Sequence, residues 1–431
     1  MSEFSENTKF SRDFYQDKGA AAAAAGAARC ESAGGTCSGT VAPALGIYAK
    51  TSSALDFKGK NIWGVLDTET GETVPFERSG DGYKVASDAQ TLRAERFALK
   101  SVVNGFLPRS RTAKCMCWRV PRQDLRVMRS IEHKKAFYAG LQVCASVWAC
   151  PVCAAKITER RRAELVGAVA TAKAMGMAVY LLTLTVPHGL GDDLGAMLDK
   201  MMAAWRKTTS DRSGVLIRKT IGLQGTVRAL EVTDGKNGFH PHFHVLLFLN
   251  PDFSTDFVQQ AFTGLWINAC VKSGLPAPSI KYGVKVDNGD YAARYASKWG
   301  IESEITKGHV KQGKEDSKTP WDHLRCYLQT KCTRARARFL IYIEAFTGRR
   351  QLYWSNGLKF KLGVGEISDE DLAVIEDDQA IILASLTDDD WRAVLASKSE
   401  AVVLQIAENN PEFLTEFLEK LRLNFQGTDK K

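Results

Sequence analysis

Three of the seven histidines in this 431-residue chain fall in one pentapeptide, His240-Pro-His242-Phe-His244, which runs straight into Val-Leu-Leu-Phe. In an extended strand alternate residues share a face, so the three imidazoles point one way while Phe243, Val245 and Leu247 point into a core. Upstream, Thr226-Val-Arg-Ala-Leu-Glu231-Val-Thr reads as a second strand, and Asp234-Gly-Lys-Asn-Gly238 is a strong turn signal between the two. A six-residue loop from Asp234 to Phe239 sets Glu231 opposite His242, whereas a slip of one residue turns the carboxylate to the other face. Neutral imidazoles gathered on one face, with a carboxylate beside them, suit a divalent ion. The alternative is a row of solvated histidines on an exposed face.

A second segment carries chemistry: Asp290-Tyr291-Ala-Ala-Arg294-Tyr295-Ala-Ser-Lys298-Trp. Asp287 or Asn288 can cap a helix here, the alanines favour it, and Gly300 can end it. Tyr291 and Tyr295 then lie one turn apart with Lys298 following, so two phenols and an ammonium line one groove. A phenol with a pKa of about 10 is a weak nucleophile at neutral pH, and a nearby cation favours the phenolate. Two tyrosines on a helix are by themselves more often packing residues.

His242-Phe-His244 within this strand resembles the histidine motif of the HUH endonucleases, most closely that of the plasmid rolling-circle Rep proteins. Leu181-Leu-Thr-Leu-Thr-Val186 resembles their first motif, a core strand to which no chemical role is assigned. The tyrosine segment is similar to their third, Y-x-x-K-Y-x-x-K, with Arg294 where lysine is usual. The resemblance implies that His242 and His244 hold Mg²⁺ or Mn²⁺ beside a scissile phosphate, with Glu231 completing the site and His240 flanking it. It implies that Tyr295 attacks the phosphate to leave a 5′-phosphotyrosine and a free 3′-hydroxyl. Where some relatives carry a glutamate, this chain has Tyr291. That resembles the two-tyrosine initiators of small phages and implies that the two tyrosines alternate, with Lys298 beside them.

Cys115-Met-Cys117, Cys144 and Cys150-Pro-Val-Cys153 form a cysteine-rich stretch. The C-P-x-C turn points two thiolates at one ion, and Cys144 with either Cys115 or Cys117 completes a closed Cys₄ site for structural Zn²⁺. Buried free thiols are the alternative. The run from Cys144 through Arg162 also resembles the segment preceding the catalytic domain in part of the Rep family. Ten cysteines in a chain whose start lacks a signal-peptide layout point to thiols and metal sites in a bacterial cytoplasm rather than disulfides. No apolar run reaches about 18 residues, so no membrane span is expected.

The net charge of +9 is unevenly spread. From Lys361 to Lys431 there are 16 Asp and Glu against 7 Lys and Arg, a balance of −9, which leaves +18 for residues 1–360. So basic a body suits a polyanion, because each cation placed on a phosphate releases a counterion. In Thr333-Arg-Ala-Arg-Ala-Arg338 an extended strand would line Arg334, Arg336 and Arg338 along a single-stranded backbone, with Arg294 contributing from the tyrosine helix. A solvated strand edge is the plainer reading.

These signals divide the chain into a disordered Ala/Gly-rich arm (1–45), an α+β region of unknown role (46–110), the zinc-binding cysteine segment (111–165), a catalytic domain (166–360) and an acidic helical region (361–431). Ser368 and Thr387 each open a capping-box pattern in the last of these. The expected fold is α+β: a central antiparallel sheet carrying the histidines, flanked by helices, with the tyrosine helix across the metal-bearing face. The expected activity is nicking and rejoining of origin DNA, at a hairpin or single-stranded site, to start rolling-circle replication of a plasmid. No phosphate-binding P-loop occurs, so a host helicase and DNA polymerase are the expected partners. The acidic helices could bind that helicase, regulate the enzyme or make a homodimer. A two-tyrosine transposase shares the same motifs. A zinc-dependent DNA-binding regulator would explain the charge and the cysteines but leave the histidine strand and tyrosine helix idle.

Overall fold

The computed structural model describes residues 88–250, 253–298, 317–374 and 379–428, together with four short strands between Leu55 and Val85. The expected arm at 1–45, with Cys30 and Cys37, lies outside the described residues. Strands β1 (Leu55–Asp56), β2 (Ile62–Leu66), β3 (Thr73–Ser79) and β4 (Gly82–Val85) pair antiparallel in chain order and lead into a helix, Asp88–Phe106. Strands β5 (Leu125–Ser130) and β6 (Ala136–Ala139) follow as a hairpin in the cysteine segment.

The central sheet uses β7 (Ala178–Thr185), β8 (Leu223–Gly235), β9 (Gly238–Leu249), β10 (Val284–Asp287) and β11 (Leu352–Trp354), in the order β10-β7-β9-β8-β11. Every neighbouring pair is antiparallel. Period-2 alternation gives this sheet two faces. On one, Leu182, Leu230, Phe243 and Val245 bury against Trp205 of the helix Leu194–Ser210 and Phe262 and Trp266 of the helix Thr255–Lys272. On the other, Leu181, Ala229, Leu246 and Phe248 meet Leu165 and Val169 of the helix Pro151–Ala174, and Ala292 and Ala296 of the helix Gly289–Lys298. Fully burying a side chain such as Phe243 contributes about 2 kcal/mol. A one-residue slip of β9 would expose Phe243 and bury His242, so the apolar face locks the register of the polar one. The architecture is α+β, an antiparallel sheet flanked by helices.

Three local features differ from the sequence expectation. The β8–β9 loop is two residues long, Lys236-Asn237, because pairing continues through Asp234↔Phe239 to Gly235↔Gly238. Gly238 takes φ +90°, a left-handed conformation that favours glycine, so the strands can run to the very tip. The pairing stays in the expected phase, so Glu231 still faces His242. The arginine run is helix (Thr333–Phe346), not strand. Ala335, Phe339, Tyr342 and Phe346 recur at helical spacing and all bury, which outweighs the two-residue alternation of Arg and Ala. The three arginines therefore form no row. Arg334 and Arg336 are exposed, while Arg338 turns inward. Finally, the acidic region is not all helix: β12 (Ala380–Leu386) pairs with β5 to make a three-stranded sheet, β12-β5-β6.

Candidate active site and metal centres

Residue alternation along β9 brings His240, His242 and His244 to the face that the tyrosine helix covers, and β8 adds Glu231 opposite His242. The His242 and His244 Nε2 atoms lie 3.5 and 3.7 Å from one carboxylate oxygen of Glu231. His242 Nδ1 is 3.2 Å from the backbone carbonyl of His240. A carbonyl can only accept, so Nδ1 carries the proton and the Nε2 lone pair faces the cluster. His244 Nδ1 is 3.0 Å from the Thr183 hydroxyl on β7, which holds the second ring with Nε2 toward Glu231. The protein around Glu231 disfavours its charge, but His244 and His242, when they also carry a proton on Nε2, and the Tyr295 hydroxyl outweigh this and bring its carboxyl down to about 2.

The ligand atoms of Glu231, His242 and His244 lie within 4.8 Å of one another, and Glu231 keeps 30% of its side chain exposed. Two imidazoles and one carboxylate, partly open to solvent, fit a divalent ion with coordination positions left for a substrate. His240 stands apart from this trio. Its Nδ1 meets Nδ1 of His188 at 3.2 Å, and burial, then His242 and His188, brings its pKa down to about 4.

The helix Gly289–Lys298 starts on Asn288, whose side-chain oxygen accepts from the Tyr291 amide at 3.2 Å. A Cβ on Gly289 would sit 3.1 Å from the Val179 carbonyl of β7, so glycine lets the helix start close against the sheet. Its Ala292 and Ala296 bury, and Tyr295 is thereby set over the histidines. The Tyr295 hydroxyl donates to Glu231 Oε1 at 2.7 Å, and its ring centre is 4.9 Å from that of His244. Tyr291, one turn earlier, is exposed, with the Arg294 guanidinium 4.4 Å and the Lys285 ammonium 5.4 Å from its ring centre. Lys298 ends the helix, and its side chain lies outside the described residues.

The cysteine segment brings Cys115, Cys144, Cys150 and Cys153 together, all buried. Sulfur–sulfur distances are 3.5 Å (Cys115–Cys153), 3.7 Å (Cys144–Cys153) and 3.7 Å (Cys115–Cys150). Four thiolates about 2.3 Å from a tetrahedral ion stand about 3.8 Å apart, so the cluster has the dimensions of a closed metal site. Cys150 is the N-cap and Cys153 sits in the first turn of the helix Pro151–Ala174, where the helix dipole favours thiolates. Hydrogen bonds from Cys115, then Cys150 and Cys153, hold the Cys144 thiol far below its ordinary value. Cys117 is outside the cluster and accepts from buried Lys100 at 3.1 Å. Burial opposes the charge on Lys100, but Cys117, Cys150 and Cys115 outweigh it, leaving a cation beside the cysteine cluster.

Sequence reasoning missed Thr183, His188 and an anchor at the far end of the hairpin. There the Asp234 carboxylate accepts from His323 Nε2 at 2.8 Å, from Arg338 Nε at 2.7 Å and from Arg338 Nη2. Thr183 was visible in the Leu-Leu-Thr-Leu-Thr strand. Its partner lies 61 residues away, and only the sheet register joins them.

A family model described as "Replication protein" matches residues 136–396, which is 261 of 431. "Protein rep" of Streptomyces lividans is 34% identical over 26% of this chain and 30% of its own length. "Neomycin resistance protein" of Streptomyces cyanogenus is 31% identical over 26% and 31%, and "Protein rep" of Staphylococcus aureus 31% over 27% and 52%. The chain thus spans from under a third to about half the length of these relatives. No solved structure matches.

Proposed function

We propose that this chain, which belongs to the replication protein family, nicks and rejoins one DNA strand at a plasmid origin to start rolling-circle replication, with Tyr295 as nucleophile. The observation that carries this reading is the Tyr295 hydroxyl 2.7 Å from a carboxylate whose other oxygen faces two imidazole Nε2 atoms. A phenol so held can meet a phosphate seated at the cluster without reorganisation. Its oxygen attacks phosphorus as the bond to the 3′ oxygen breaks. The phenolic proton passes to solvent, and the departing 3′ oxygen takes a proton from solvent. Mg²⁺ or Mn²⁺ held by His242, His244 and Glu231 would draw charge from the phosphate oxygens. The free 3′-hydroxyl then primes a host polymerase, with a host helicase unwinding ahead. The phosphotyrosyl ester keeps the linkage energetically available for rejoining. Tyr291, exposed and bracketed by Arg294 and Lys285, is proposed as the second nucleophile that closes the released strand. Zn²⁺ in the four-cysteine site is structural, since four thiolates leave no open position.

The test is supercoiled plasmid carrying the cognate origin, incubated with Mg²⁺ or Mn²⁺. Nicked circles with protein on the 5′ end are expected. Tyr295→Phe should lower the nicking rate by on the order of a millionfold, the scale of losing a nucleophile. Tyr291→Phe should nick at close to the parent rate but leave strands unclosed. Full-rate nicking by Tyr295→Phe would overturn the assignment.

A further inference from the structure

A cleft of about 300 Å³ lies between the helix Asp88–Phe106, the helix Pro320–Thr330 and the start of the helix Thr333–Phe346. Its lining carries three cations, Lys331, Arg336 and Lys398, and no acidic side chain. Among the described residues no carboxylate lies within ion-pair distance of any of the three. Two of them lie against aromatic rings instead, and the Lys331 ammonium also donates to the neutral Leu328 carbonyl at 3.2 Å. Arg336 sits 5.3 Å from the Phe106 ring centre and Lys331 5.9 Å from that of Tyr327, and the two rings meet edge to face at 4.7 Å. Rings orient a cation without cancelling its charge, which leaves it available to an anion.

Backbone details favour the same reading. Lys331 and Lys398 both hold left-handed conformations, φ 55° and 50°, just past helix ends where glycine or asparagine is the usual residue. Gly105 lies in the last turn of its helix and lines the cleft, yet a Cβ there would meet nothing within 4 Å and its φ is not left-handed. Neither packing nor backbone bars a Cβ at that position, and the missing side chain keeps the cleft open.

We propose that this cleft binds the phosphodiester backbone of a DNA strand away from the scissile phosphate. The inference rests on the nicking activity proposed above for its biological setting, but not for its test. The helix Thr333–Phe346 places Arg336 in the cleft and, two residues on, sets Arg338 against Asp234 at the tip of the histidine hairpin. A strand anchored in the cleft is thus one rigid element away from the catalytic sheet. Of the four arginines expected to contact DNA, Arg336 thus lines the cleft and Arg338 braces the hairpin.

The experiment uses the full chain, fluorescein-labelled dT₃₀ and a salt titration. Gly105→Leu fills the cleft, and Lys331→Gln/Arg336→Gln removes two cations. Both variants should keep the parent melting curve. Gly105→Leu should weaken dT₃₀ binding about tenfold, and the double variant should lower the slope of log K against log salt by about 1.4, two contacts at about 0.7 each for single strands. The readout is strand binding measured without Mg²⁺ or Mn²⁺ and needs no nicking, so a failure of the nicking reading leaves this test standing. Unchanged affinity and slope in both cleft variants would overturn the proposal. So would competition by inorganic phosphate that Gly105→Leu abolishes while dT₃₀ binding stays intact, which would assign the cleft to small anions.

Discussion

At the scale of single residues, the histidine face was legible because its information is local. Three imidazoles two apart share a side of a strand whatever the rest of the chain does, and Phe243 between them names the buried side. Thr183 was not legible, because its value depends on which residue the register sets beside it. With the hydroxyl 3.0 Å from His244 Nδ1, Thr183 keeps the Nε2 lone pair aimed at Glu231 and His242. Thr183→Val keeps shape and β-propensity but removes that partner. Losing an outer-shell hydrogen bond of this kind costs about 10- to 100-fold in metal affinity. Mn²⁺ titration by calorimetry should show a loss on that scale with an unchanged melting temperature. Unaltered Mn²⁺ affinity would remove Thr183 from the site.

At the scale of elements, sequence reasoning succeeded where apolar periodicity was unambiguous and failed where two periods competed. The helix Gly289–Lys298 has one pattern, Ala292 and Ala296 down and Tyr295 over the site. Thr333–Phe346 has two, and the arginine alternation was the less costly to leave unused, because an exposed arginine is solvated on helix or strand alike. Arg338 reaches Asp234 because it lies on that helix, and His323 reaches it from the helix Pro320–Thr330. The hairpin tip is therefore anchored to two helices through one carboxylate. Burial opposes ionisation of Asp234, but His323 and Arg338 outweigh it and bring its pKa from 3.8 to about 2. A depressed carboxyl contributes stability that is fully present above 3.8 and lost as pH falls from 3.8 through 2, here about 2 kcal/mol. Asp234→Asn should lower the melting temperature at pH 7 by about 5 °C. The gap between variant and parent should narrow as pH drops from 3.8 to 2, and a gap constant across that range would contradict the anchor.

At the scale of the whole molecule, the acidic region is built into the cysteine segment. The sequence reads it as an acidic helical region, since acidic side chains dominate it and its capping signals are strong. The Thr387–Asp390 capping box does form. What charge hid was a short apolar strand, Ala380–Leu386, whose partner β5 lies some 250 residues earlier. Trp391 buries and donates to the Cys117 carbonyl at 2.8 Å, next to the cluster cysteine Cys115. Glu408 accepts from Arg93 at 2.6 Å and from the Ala136 amide at 2.9 Å. The four-cysteine site is therefore held by segments that precede and follow it in the chain, and its metal should leave when either lets go. Removing residues 375–431 would bare the edge of β5 and empty the Trp391 position. The lost tryptophan packing alone is worth about 3 kcal/mol, enough to raise local opening on the order of a hundredfold. Zinc release to a chromogenic chelator should accelerate on that scale in the truncated chain, while Trp391→Phe, which keeps much of the packing, should fall between it and the parent. The face of the histidine sheet that carries the metal site packs on a core with no residue from 375–431, so Mn²⁺ binding at His242 and His244 should survive the same truncation. If zinc release stayed at the parent rate, the acidic region would be a separate unit resting on the cysteine segment rather than part of what closes it.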